Sequence, residues 1–236
     1  MLDLIGAIVA MTAVAINLVA FTQAMPGTLT PRLGLAAITG AWVGLAGGLG
    51  AGNKLAFSPG HPLPLIGVLF AAPLLVAGVL AFSSPKVRAA LLGIPMPLLI
   101  GVNSLRVLGA LFLLLAADGR LSGPFPYFAG LGDIITGALA LPLALSIARS
   151  GRLPSAAVRR WNIFGALDLF VAVGLGLTSA AGSPVQLIHA GVGSAAVQYL
   201  PYCLVPTVLV PFYLITHGII AAQLAAPRAA AALSHA

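Results

Sequence analysis

The sequence predicts an all-α fold, a polytopic transmembrane helix bundle of about seven spans, and three observations predict it. Of the 236 residues, 60% are hydrophobic and only 6% are charged, against roughly a quarter charged in soluble domains. The apolar residues fall into runs of about 20, the length that crosses a bilayer core. Between the runs lie short stretches rich in Pro, Gly, Ser and basic residues, which interrupt helices. So little polar surface cannot cover a water-soluble core, and the solvent for this chain is lipid.

The first run, 3–23, carries Asp3 where a signal peptide would carry positive charge, and it reads as a retained helix. The second, 33–51, follows "MPGTLTPR" and contains "GAWVGLAGGLGAG" (40–52), small residues that let helix backbones pack closely. The third, 63–83, follows "NKLAFSPGHP", and the fourth, 97–117, follows "SSPKVR". The stretch "DGRLSGPFPYFAGLGD" (118–133) reads as an outer loop. Its Pro124, Pro126 and aromatic trio Phe125, Tyr127 and Phe128 suit an interfacial anchor, with a lid or re-entrant turn as the alternative. The fifth run is 129–148, and the sixth, 160–181, follows "SGRLPSAAVRR". Residues 185–202 are apolar but short; they read as a helix lying on the outer surface, with an eighth crossing as the rival. The seventh run, 203–225, contains Pro206 and Pro211, which are expected to kink it and free backbone carbonyls. All seven belong to one transmembrane domain spanning 1–236.

Loop charge gives an orientation. Arg32, Lys86, Arg88, Arg149, Arg152, Arg159, Arg160 and Arg228 fall on one side of a seven-span arrangement, and Lys54 and Arg120 on the other. Basic residues collect on the cytoplasmic side, so the N-terminus is expected outside and the C-terminus inside, in a bacterial inner membrane. The same distribution assigns the net charge of +7 to the anionic leaflet and not to nucleic acid. One cysteine, Cys203, rules out an internal disulfide and a cysteine-based zinc cluster.

Against this background a few polar residues stand out. Arg106 falls near the middle of the fourth run, where an arginine costs about 2.5–3.5 kcal/mol on insertion scales. Guanidinium stays protonated, so it must find a partner. There is no glutamate, and apart from Asp3 at the very edge of the first run only Asp133 and Asp168 lie inside runs. Asp168 matches Arg106 in depth and is the expected partner; Asp133, placed near the outer end of its run, is the second candidate. Asn103 sits one turn inward of Arg106 on the same face. Tyr213 and His217 lie one turn apart in the seventh run, and Asn162 near the inner end of the sixth. A buried pair can be helix-to-helix glue, but intramembrane ionisable residues lean towards function. His217 adds a group that titrates near neutrality.

Other chemistries find no support. There is no GxxxxGK[ST], no HExxH and no HxxxH, so no metal or cofactor is expected. Lys54 and Lys86 lie in loops and leave no lysine for a Schiff base inside a helix. A set of Ser104, His217 and Asp168 rests on residue types alone. The segments "RVLGALFL", "GPFPYFAGLGDIITGALA", "RRWNIFGALDLFVAV" and "PYCLVPTVLVPFYLITHG", between residues 106 and 218, resemble a set of small, functionally uncharacterised polytopic bacterial membrane proteins. The resemblance groups Arg106, Asp133, Trp161, Asn162, Asp168 and His217 as one constellation and brings no activity with it.

The sequence therefore points to a membrane protein that binds or transports a small polar or anionic molecule at a mid-membrane site built on Arg106, Asp168 and His217. An intramembrane enzyme acting on a lipid or quinone-like substrate is the first alternative. A scaffold or accessory subunit, as a homo-oligomer or within a larger membrane complex, is the second.

Overall fold

In lipid every backbone N–H and C=O must be satisfied within the chain, and a helix does this locally. The computed structural model, which describes residues 1–26, 28–57 and 65–226, is accordingly all-helical, with no strand among the described residues. Seven helices are long and apolar enough to cross a membrane: Leu2–Ala24, Leu29–Ala51, Leu65–Ser83, Met96–Ala117, Phe125–Ser150, Ser155–Ser179 and Val205–Ala225. This is a multi-pass membrane protein. A short helix, Pro85–Leu92, capped by Ser84 through Val87 N, joins the third and fourth spans. Residues 63 and 64 of the expected third span, and Arg228 of the charge count, lie outside the described residues.

The spans alternate in direction. At one end the hydroxyl of Tyr202 donates to Leu2 O, and Arg120 bridges to Asp3 at 2.7 Å. That hydrogen bond to Asp3 holds the Arg120 pKa above its usual value. At the opposite, basic end Gln223 Nε2 donates to Leu92 O and Ile94 O. Large apolar side chains such as Leu75, Val79, Leu139 and Phe170 point outward, as a lipid-facing surface requires.

Two sequence expectations need correction. The fifth span begins at Phe125, not at 129, because Pro124 and Pro126 sit at a helix start, where a missing N–H is harmless. The aromatic trio is thus the first turn of the span and neither a lid nor a re-entrant loop; Phe125 is buried, while Tyr127 and Phe128 are exposed. The earlier start puts Asp133 roughly 12 Å into the span, at ~1.5 Å per residue. Residues 180–204 are neither a surface helix nor an eighth crossing. They form an irregular cap containing one short turn, Ala195–Gln198, and a cis peptide bond at Leu200–Pro201. Gly191 and Gly193 adopt positive φ there, which no helix tolerates. The cap is tied down: Ser122 Oγ donates to Ala190 O, Gly193 N donates to Ser122 Oγ at 2.7 Å, and Phe57 N donates to Gln198 Oε1 at 2.9 Å.

The seventh span is central, with 56% of its apolar window buried against 11% for the second and third. It opens with a π-helical turn, Val205–Leu209. Pro211 lacks the N–H that would satisfy Thr207 O, and Trp42 Nε1 of the second span donates to that carbonyl at 3.0 Å. A proline defect thereby becomes a helix-to-helix bond.

The glycines of the second span do not pack as expected. A Cβ at Gly40, Gly44, Gly47 or Gly48 would meet nothing within 4 Å, whereas Gly50 lies against Cys203 and Leu200.

Candidate functional site

The fourth span is α-helical at Met96–Gly101, 3-10 helical at Val102–Gly109 and α-helical again at Ala110–Ala117. With three residues per turn, Asn103, Arg106 and Gly109 line one face, and all three are buried. That face meets the fifth span, where a Cβ at Gly109 would lie 2.5 Å from Asp133 Cβ. Glycine there lets the two backbones approach until the arginine and the aspartate touch.

Arg106 then collects partners from three spans. Its Nε donates to Asp133 Oδ1 at 2.7 Å and its Nη2 to Asp168 Oδ2 at 2.5 Å. Its Nη1 donates to Gly165 O at 3.0 Å and to His217 Nε2 at 3.1 Å. The guanidinium also lies 5.9 Å from the ring centre of Tyr213. Both aspartates answer the arginine, where depth alone singled out Asp168.

His217 is fixed from every side. A guanidinium can only donate, so Nε2 is the accepting nitrogen and the proton sits on Nδ1, which donates to Asn162 Oδ1 at 2.8 Å. Asn162 Nδ2 returns a bond to His217 O at 3.1 Å. The Trp161 ring lies 5.2 Å from the imidazole, with its Nε1 donating to Thr136 O at 3.0 Å. Both ring nitrogens are occupied, so neither serves Ser104, and the serine–histidine–aspartate set does not form. Space for the imidazole comes from Gly165: a Cβ there would lie 2.7 Å from His217 Cε1.

The remaining expected residues lie at the margin. Asn103 Nδ2 donates to Leu99 O at 2.9 Å and to Thr216 Oγ1 at 3.2 Å, leaving its buried Oδ1 without a partner among the described residues. The hydroxyl of Tyr213 accepts from Asn17 Nδ2 at 3.1 Å. Asn17 was missed from the sequence; an amide inside an otherwise apolar first span was the available signal. Thr136 and the backbone carbonyl of Gly165 were also missed. Among the described residues no group of three or more His, Cys, Asp or Glu could hold a metal.

Two cavities meet at this cluster. One, of about 80 Å³, lies towards the capped end among the third to seventh spans; its lining includes Phe57, Phe70, Phe112, Phe125 and Asp133. The other, of about 50 Å³, lies against the first span and touches Arg106, Asp133 and Tyr213. Asp133 lines both. Its side chain keeps 15% of its surface exposed, while that of Arg106 keeps 0%. The carboxylate therefore faces the open space and the guanidinium is sealed behind it.

Residues 63–225 match a family model described as a domain of unknown function (DUF8737). The matched segment takes in Asn103, Arg106, Asp133, Asn162, Asp168, Tyr213 and His217, and omits the first two spans. No curated protein and no solved structure matches the chain.

Proposed function

From the premise that the chain belongs to the DUF8737 family, we propose that it binds, and moves across the membrane, a small molecule held at the Arg106–Asp133–Asp168–His217 cluster. One observation carries this reading: Asp133, held by an arginine whose side chain has no exposed surface, lines both cavities and keeps part of its carboxylate open to them. Structural glue alone needs no open space beside the carboxylate. The sequence first pointed to Arg106 as a hook for an anionic group. Four of the five guanidinium N–H donors are already spent on protein acceptors, which leaves Asp133 as the group facing a ligand. The charge of the end bearing Arg32, Lys86, Arg88, Arg149 and Arg152 supports a cytoplasmic position for that end, in a bacterial inner membrane. The capped end and the larger cavity then face outward.

Native mass spectrometry of the full chain in mild detergent tests this reading. A small-molecule adduct is expected on the wild type and is expected to be lost from Asp133→Asn, whose shape is unchanged. A bare wild type, or an adduct retained in full by the variant, would sink it.

A role as a homo-oligomer has one observation in its favour, the open glycines of the second span. Close backbone approach at such a stripe drives helix association in lipid. If a second copy docks there, Gly44→Leu should convert an oligomer to a monomer in light scattering. A monomeric wild type would remove the reading.

A further inference from the structure

Three features of the larger cavity describe its occupant. The first is charge. Arg106 contributes one positive charge, and Asp133 and Asp168 one negative charge each when ionised. His217 is neutral, because Nε2 accepts from the guanidinium. Among the described residues no other lysine or arginine forms an ion pair with either aspartate. With both aspartates ionised the cluster holds one negative charge more than it holds positive ones, an excess in a low-dielectric interior that a bound proton or a bound cation removes. The second feature is geometry. Asp133 Oδ1 is taken by Arg106, and Oδ2 has no hydrogen-bond partner among the described residues. With Asp133 lining both cavities, that oxygen is the one left for a ligand. The third is the lining. Phe57, Phe70, Phe112 and Phe125 surround the larger cavity together with aliphatic side chains, and Ser194 and Gln198 are the polar residues beside Asp133 in its lining. Aromatic faces attract ammonium groups and hold no attraction for anions.

We infer that the ligand is a small alkylammonium ion, its nitrogen against Asp133 and its alkyl chain among the phenylalanines. This rests on the reading of the cavity as a ligand site and adds the chemical class. Size agrees: the cavity of about 80 Å³ is roughly half the ~150 Å³ of an apolar cavity that accepts benzene. A chain of a few carbons fits, and a bulky aromatic cation does not. A divalent metal is disfavoured because one free carboxylate oxygen, with Ser194 and Gln198 already hydrogen-bonded to backbone, falls far short of the six to eight oxygens calcium takes.

Calorimetry on the full chain in mild detergent, with butylammonium, butanol and butyrate as probes, tests the class. These three share a four-carbon chain and differ in charge. Butylammonium is expected to bind saturably, with butanol and butyrate weaker by about tenfold or more, the scale of one charge-assisted contact. Asp133→Asn should erase the preference for the cation. Val173→Trp, which fills the cavity from its sixth-span wall and leaves every charge in place, should abolish binding even if Asp133→Asn folds poorly. Butanol or butyrate binding as tightly as butylammonium overturns the cation assignment and leaves the ligand site standing. Cation binding that survives Val173→Trp places it elsewhere and overturns the inference. If none of the three binds while native mass spectrometry finds an adduct dependent on Asp133, the alkylammonium class fails and the site remains; if neither is seen, both fail.

Discussion

Replacing Arg106 with methionine is expected to destabilise the protein by about 3–5 kcal/mol, the scale for removing one partner of a buried charge pair. Methionine keeps much of the length and apolar bulk and deletes the charge. What remains is a pair of aspartates, Asp133 and Asp168, with no cation between them and side chains only 15% and 8% exposed. His217 Nε2 and Gly165 O lose their donor in the same step. The loss is thus mostly the penalty of stranded polar groups and not the worth of the bonds themselves. That distinction has a consequence. The triple variant Arg106→Met, Asp133→Asn, Asp168→Asn removes all three charges together and should recover most of the stability, since an apolar or neutral replacement of a buried ion network is often close to neutral. Thermal unfolding in mild detergent would check both. A single variant as stable as the wild type, or a triple variant no better than the single, would contradict the account. The recovered triple variant should still fail to carry the ligand, which separates the cluster's part in stability from its part in binding.

How much of this was legible in the sequence depended on which physics set each feature. The seven spans were legible because length and apolarity alone decide what crosses a bilayer. The match between Arg106 and Asp168 was legible because an unneutralisable charge needs an acid at its own depth, and the chain offers few. A span starting at 129 leaves Asp133 too shallow; the two prolines at positions 124 and 126 read as loop residues in the sequence but mark a helix start. The cap at 180–204 was misjudged for the opposite reason. Its apolar composition suggested a helix, while glycines at 191 and 193 and the proline at 201 dictate an irregular path. No residue type encodes the 3-10 stretch in the fourth span or the π turn in the seventh. The glycines were the least legible of all. Gly132 and Gly165 abut the site, whereas Gly40 and Gly44 face open space, and the composition around each is similar. Which face of a helix meets a neighbour is decided by the whole bundle, where packing against small residues replaces the hydrophobic effect.

That difference among glycines yields the second large effect. Gly132→Ala is expected to cost about 1–3 kcal/mol, the range for overpacking a tight interior. Gly44→Ala, where a Cβ meets nothing within 4 Å, should stay within about 0.5 kcal/mol of the wild type. The two substitutions are the same chemistry in helices of the same membrane, so intrinsic helix preference cancels between them. At Gly132 the added methyl overlaps the carboxylate of Asp168. That carboxylate cannot swing aside freely, because Arg106 Nη2 holds its Oδ2 at 2.5 Å. The methyl therefore either strains the fifth and sixth spans apart or breaks the ion pair. Both routes act through Asp168, which makes the prediction sharper than a stability loss alone. In an Asp168→Ala background the obstacle is gone, and Gly132→Ala should become nearly neutral, a non-additivity of the kind expected only between touching residues. Asp168→Ala also leaves Arg106 paired one-to-one with Asp133, so the cluster loses its excess negative charge and with it the preference for a cation. Equal losses from Gly132→Ala in the two backgrounds, read by thermal unfolding of the four proteins, would show that the clash lies elsewhere in the bundle and that this glycine does not shape the site.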